Sequence, residues 1–254
     1  MKKTITIISC LLFGTVAFAG KNGVSELQKE KEMLIGKGII SRGFYLNVGL
    51  AFPSQTLNVS KATVKSSSGS EVNAPADLLP NSYSLGLQPN IEIGNQWYFW
   101  KNDKIGIGLR VSWFQFGFSS YSFTVNNLGD INPTLFDLRL IKLAPQFTLA
   151  LADKMALDFA IEFAPTFFVG AATKNTPAVN YVYGTSSLGL LITPGIKFRY
   201  QIFAAGFDFG FGSLGYGAAI SGTSNTGTST TNSTYTAAGT ANTLYPRIYL
   251  GFKF

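Results

Sequence analysis

The chain has 254 residues, no histidine, a single cysteine and a net charge of +7. The absence of histidine excludes Ser-His and Asp-His catalysis and imidazole metal sites, and the scattered basic residues leave no nucleic-acid footprint. Only 13% of residues are charged while 14% are aromatic, so an exported chain of this composition must find a place for many apolar side chains.

The first residues supply the export signal. Met1, Lys2 and Lys3 precede an apolar stretch from Ile5 to Phe18, and Ala17, Phe18 and Ala19 form a small-x-small site before Gly20. A basic start, a short apolar run and such a site predict a signal peptide over 1–19, and the run is too short for a membrane-spanning helix. Cys10 sits inside that segment, so the mature chain is expected to lack disulfides and thiolate metal sites. Residues 20–42 are a periplasmic leader. Ser25, Glu26, Leu27 and Gln28 fit a capping box; a short helix and a flexible leader both remain open.

From Gly43 apolar residues alternate with polar and small ones, the signature of strands with two unlike faces. The first strand sets Phe44, Leu46, Val48, Leu50 and Phe52 against Tyr45, Asn47, Gly49 and Ala51. The second sets Leu85, Leu87, Ile91 and Ile93 against Ser84, Gly86, Gln88, Asn90 and Glu92. The third runs Ile105, Ile107, Leu109, Val111 and Trp113, then loses phase at Phe114, which predicts a bulge. The fourth covers about 136–151 with a slip near Leu140 and Ile141. The fifth exposes Leu157, Phe159, Ile161 and Phe163; the sixth Leu188, Leu190, Ile192, Ile196 and Phe198; the seventh Phe203, Phe207, Phe209 and Phe211. The eighth ends the chain with Ile248, Leu250, Phe252 and Phe254. The apolar face is the majority face and the charges lie on the other, as a closed sheet needs when lipid is outside and water inside.

Connections alternate in length. Segments 53–82, 119–134, 171–186 and 213–243 are long, whereas those near 101–103, 152–154 and 200–201 are short. This predicts an all-β fold, an eight-stranded antiparallel up-and-down transmembrane barrel over 43–254 with long loops on one rim and short turns on the other. The uncharged Ser, Thr, Asn, Gly and Ala stretch 221–243 reads as a mobile external loop.

An apolar-x-Pro-x-apolar-x-apolar unit recurs at Pro89, Pro145, Pro194 and Pro246, with a partial copy at Pro165. Proline lacks the ladder donor. Its recurrence on the outward face predicts a repeated hairpin unit with a bend at one height; the alternative is that the prolines mark strand ends.

The inward face carries Glu92, Arg110, Asp137, Arg139, Lys142, Asp158, Glu162, Lys197, Arg199, Asp208, Arg247 and Lys253. Isolated charges in a narrow lumen are costly, so paired networks are expected, and inward glycines such as Gly106 and Gly206 leave room for long partners. A gated ion path is one reading; a salt-bridged plug that fixes register is favoured in a barrel this narrow. Asp158 and Glu162 lie on one inward face and are expected to pair with cations rather than work as a carboxylate dyad. No catalytic, cofactor-binding or metal-ligating constellation emerges. Aromatics gather toward strand ends: Trp97, Tyr98, Phe99, Trp100 and Tyr200 on the short-turn side, Trp113, Phe118, Tyr121 and Tyr216 on the loop side, predicting two interfacial girdles.

On these residues the chain resembles small bacterial outer-membrane barrels of the OmpA and OmpX type. The most specific element is Tyr249, Leu250, Gly251, Phe252, Lys253 and Phe254. It resembles the C-terminal signal, with Tyr249, Gly251, Phe252 and the final Phe254, by which barrel-assembly machinery recognises such proteins for insertion. The prolines depart from the familiar enterobacterial members. The resemblance implies residence in bacterial outer-membrane lipid and a non-enzymatic structural or surface-interaction role with an unidentified external partner. A narrow channel for small solutes or ions, or an accessory subunit of a secretion complex, are the alternatives.

Overall fold

The computed structural model describes residues 39–66, 70–73, 82–125, 129–175, 179–226 and 229–254. The signal segment, and the leader to residue 38 with its capping box, lie outside the described residues. Strands β1 (Gly43–Ala51), β5 (Gln88–Lys101), β6 (Ile105–Ser120), β9 (Thr134–Ala152), β10 (Met155–Asn175), β11 (Val179–Tyr200), β12 (Phe203–Thr226) and β13 (Ser229–Lys253) follow one another around an antiparallel sheet. Pairing of β1 with β13, from Tyr45 opposite Lys253 to Ala51 opposite Arg247, closes it into a barrel. Closure leaves no free edge at the height where water is absent.

The two phase slips are bulges. Between β5 and β6 the register jumps as Trp113 is passed over, and between β9 and β10 it jumps around Ile141, whose φ is 53°. A β-branched residue at positive φ is disfavoured, and the extra residue is what returns the apolar side chains to the outside. The prolines sit within or at the start of strands and face outward. Each has one neighbouring strand with which the ladder is interrupted beside it. Pro246 borders the break at Phe52 and Pro53, Pro165 the jump between Phe163 and Thr166, and Pro194 the gap between Ile192 and Gly195. A residue without an N–H cannot complete the ladder on its hydrogen-bonding side.

The outer rim differs from the expected loops. Segment 53–82 contains β2 (Ser54–Ser66), β3 (Glu71–Asn73) and β4 (Ser82–Ser84). β2 continues β1 past a break at Phe52 and Pro53 and pairs with β13, β3 and β4. Segments 171–186 and 213–243 are largely strand, because β10–β13 run on beyond the apolar belt: Ser221 pairs with Thr234 and Ile220 with Tyr235. The described residues of the uncharged stretch read as a mobile loop thus form the outer part of both arms of a long hairpin. Threonine favours the pleated surface, its hydroxyls bond across strands as at Thr63 and Thr236, 2.9 Å apart, and Tyr235, Ala237 and Ala241 supply a buried face. Segment 119–134 carries a two-stranded hairpin, β7 (Phe123–Val125) and β8 (Gly129–Ile131).

Candidate functional site: a filled lumen inside an apolar belt

The outside is a belt of exposed large hydrophobics. Phe44, Val48, Ile91, Ile107, Phe147, Ile161, Leu190, Phe207 and Ile248 are each more than a third exposed. In water such a surface is unfavourable over its whole circumference; in lipid it is solvated. The strand alternation fixes this, because every second side chain must point out.

Inside, the charged residues read from the sequence come together in layers. At mid-height Lys142 Nζ lies 3.1 Å from Glu92 and 2.8 Å from Glu162 and donates to Gln115 Oε1 at 2.7 Å. Arg247 binds Glu92 at 2.7 Å and also contacts Asp208, while Arg110 reaches Glu162 at 3.4 Å. These side chains are almost wholly buried. Nearer the outer end Asp137 and Arg139 pair with each other at 3.0 Å, and the Arg139 guanidinium lies 3.6 Å from the centre of the Tyr245 ring. Toward the short-turn rim Asp158 takes Arg199 at 2.7 Å and Lys197 at 3.3 Å. Lys253 has no carboxylate within ion-pair distance among the described residues; its ammonium donates to Ser41.

The space beside inward glycines is occupied by rings. A Cβ at Gly106 would collide with Ile40 and Tyr98, and one at Gly206 with Tyr249. The room these glycines leave is thus taken by long side chains, Tyr98 and Tyr249.

Several aromatics stand elsewhere than the strand-end pattern suggested. Tyr98 belongs to the lumen, not to the girdle: its hydroxyl accepts from Arg199 at 3.0 Å and lies 2.9 Å from Thr148 Oγ1. Tyr98 continues the inward alternation of Glu92, Gly94 and Gln96, and the irregularity that follows it leaves Phe99 and Trp100 both exposed. Trp113 was expected on the opposite rim from Trp97, yet the rings meet edge to face at 6.3 Å, because the bulge sets Trp113 beside Asn95, whose Oδ1 accepts from the indole N–H at 2.8 Å. Tyr200 is exposed at the short-turn rim. In the C-terminal strand Phe252 and Phe254 face out against Phe203 and Phe44, whereas Tyr249 and Gly251 face in.

One layer was not anticipated. Above Arg139 the lumen turns apolar. Leu85, Tyr121, Phe123, Ile131, Leu135, Phe168, Tyr183 and Tyr216 form a buried cluster under the β7–β8 hairpin. Tyr83 stacks on Tyr121 at 4.8 Å and Phe123 meets Tyr183 edge-on at 5.2 Å. Leu85, assigned to the lipid face by simple alternation, is fully buried here because Gly86 takes φ 73° and reverses the phase. Tyr121 and Tyr216 lie in this cluster, not in an outer belt. Burial, reinforced by neighbouring Tyr183, raises the pKa of both phenols well above the ordinary tyrosine value. Alternation of Tyr181, Tyr183 and then Tyr216, Ala218, Ile220 was the available signal, hidden by the glycines and serines between them.

No protein-family model matches the chain, and no curated protein matches it. Similar solved structures include the outer membrane protease OmpT from Escherichia coli, 6% identical, TM-score 0.43, covering 85% of this chain and 99% of that one. The outer membrane protein OprG from Pseudomonas aeruginosa is 12% identical, TM-score 0.39, with 84% and 96% covered. The attachment invasion locus protein Ail of Yersinia pestis is 11% identical, TM-score 0.33, with 80% and 99% covered. At these values the likenesses add nothing to the chain's own geometry, which is that of a closed barrel with a lipid-facing exterior.

Proposed function

We propose that this chain is an integral protein of a bacterial outer membrane, exported through a cleaved signal segment and inserted by machinery that reads its C-terminal strand. Its role is non-enzymatic and is carried on the outer side, by the sheet that β2 and β10–β13 raise above the lipid belt. The observation behind this reading is the filled lumen. Lys142, Arg139, Arg199 and Arg247 are buried within the wall, Tyr183, Tyr245 and Phe168 are buried above or beside them, and a hairpin covers the mouth. Eight strands enclose only enough space for side chains, and here side chains occupy it. The outer sheet in turn offers an open cleft of about 450 Å³ lined by Thr173, Asn180, Tyr181, Ser221 and Thr234. Hydroxyl and amide groups without charge suit an uncharged polar partner.

Planar-bilayer recording on the purified protein tests the assignment. The expected trace has no steady conductance steps. A reproducible conductance would replace the surface role with passage of small solutes or ions, and stable co-purification with a larger envelope complex would replace it with an accessory role.

A further inference from the structure

The short-turn end of the lumen holds an imbalance that the rest of the barrel does not. Lys101, Lys197, Arg199 and Lys253 converge there, and among the described residues Asp158 is the sole carboxylate within ion-pair distance of any of them. Lys197, Arg199 and Lys253 are buried. Buried cations without counter-charge are costly, and here the substitute is backbone. The residues just before β1 turn into the opening, with Ile39 and Ile40 buried against Ala156, Tyr98 and Ala150. Their successive carbonyls are each taken by a cation. Arg199 donates to Ile39 O at 2.8 Å and Lys101 to Ile40 O at 3.1 Å. Lys253 donates to Ser41 O and, at 3.0 Å, to Ser41 Oγ, while Gln96 adds a bond to Ser41 O at 3.3 Å. Gln96 Oε1 in turn accepts from Lys197 at 3.4 Å.

We propose that this cation ring is an anion site for phosphate-class ligands on the periplasmic side of the barrel, and that the Ile39–Ser41 strap is its built-in competitor. Carbonyl oxygens carry partial charges; a phosphate carries full ones and several acceptors, and charge-assisted bonds to it are the stronger. Among the described residues the two buried isoleucines and these few bonds hold the strap, and a multivalent anion displaces it by mass action.

Cys10, the chain's only cysteine, lies in the signal segment, so the exported protein carrying Ile40→Cys has one reporter thiol. Its modification by a membrane-impermeant maleimide is timed in neutral detergent while sodium phosphate replaces chloride at constant ionic strength. Phosphate is expected to speed modification saturably, by about tenfold or more, the change that ~1.4 kcal/mol of displaced strap implies. In the Lys101→Gln, Lys253→Gln background the thiol reacts fast at once and phosphate adds nothing. Phosphatidylglycerol vesicles in buffer without inorganic phosphate separate sources: acceleration there but not with phosphate in detergent assigns a lipid headgroup as the anion. Rates indifferent to phosphate and headgroup alike overturn the site. Should Ile40→Cys fail to give the folded, heat-shifted gel band, Ser41→Cys carries the same readout.

Discussion

Lys142 illustrates what one residue does in this lumen. It stands between Glu92 and Glu162 and is fully buried with both. Lys142→Met keeps most of the volume and removes the charge, leaving two carboxylates to share Arg247 and Arg110. Breaking a buried pair in this way costs about 3–5 kcal/mol. The expected outcome is a marked fall in the temperature at which the unboiled gel band converts to the unfolded one. Glu162→Gln in the same chain is expected to return about half of that loss, since it removes one orphaned charge; a double-mutant cycle reads the coupling. Tyr98→Phe, by contrast, deletes only the hydroxyl that meets Arg199 and Thr148, a loss of about 1–2 kcal/mol. A true girdle tyrosine would show no such cost. The charged residues were legible in the sequence because each falls in the polar and small register opposite the apolar, lipid-facing one. Tyr98 was masked by the aromatic run Trp97 to Trp100, which reads as a girdle, although the alternation Glu92, Gly94, Gln96 and Tyr98 places it inward.

Elements are governed by where backbone donors and acceptors find partners. The uncharged stretch within 213–243 lacks the apolar alternation that marks a membrane strand, so composition alone read as a loop. What the composition could not convey is that a neighbouring wall already exists: β12 templates β13 residue by residue, and a ladder started in lipid propagates into water as long as serine and threonine tolerate the pleat. The belt strands were legible for the opposite reason, since lipid enforces a strict period of two. The mouth cluster is held by this extended sheet, and its tyrosines give it a pH dependence. A phenol buried in apolar surroundings resists ionisation, so the folded-state pKa values of Tyr121 and Tyr216 lie above the unfolded value near 10. Stability from these groups is therefore complete below that value and is lost as the pH rises beyond it. Ultraviolet titration of tyrosinate is expected to show a normal set and a late set, the late set ionising together as the mouth opens, while Tyr121→Phe shrinks it. A single transition near pH 10 for every tyrosine, about the free phenol value, would contradict the packing.

At the scale of the whole molecule the lumen is a series of stoppers, and that arrangement makes a prediction no single layer makes. The β7–β8 hairpin and the aromatic cluster close the outer end, the Glu92, Lys142, Glu162 and Arg247 network fills the middle, and the Ile39–Ser41 strap closes the short-turn end. Barriers in series are dominated by the highest, so removing one leaves the path shut. Shortening the hairpin between Tyr121 and Pro133 should give a protein without conductance, and so should trimming the middle alone with Lys142→Ala and Arg247→Ala. Both changes together with Ile39→Gly and Ile40→Gly are expected to produce steady current steps, provided the unboiled band still shows a closed barrel. Conductance after the hairpin change alone would mean that the hairpin is the only gate and that the charged layers conduct. Silence in the combined variant, with the barrel intact, would mean that the inward tyrosines facing Gly106 and Gly206 are themselves enough to seal it. Either result places the barrier at a named height, and the wall survives the trimming because its closure lies in the β1–β13 ladder rather than in the side chains it encloses.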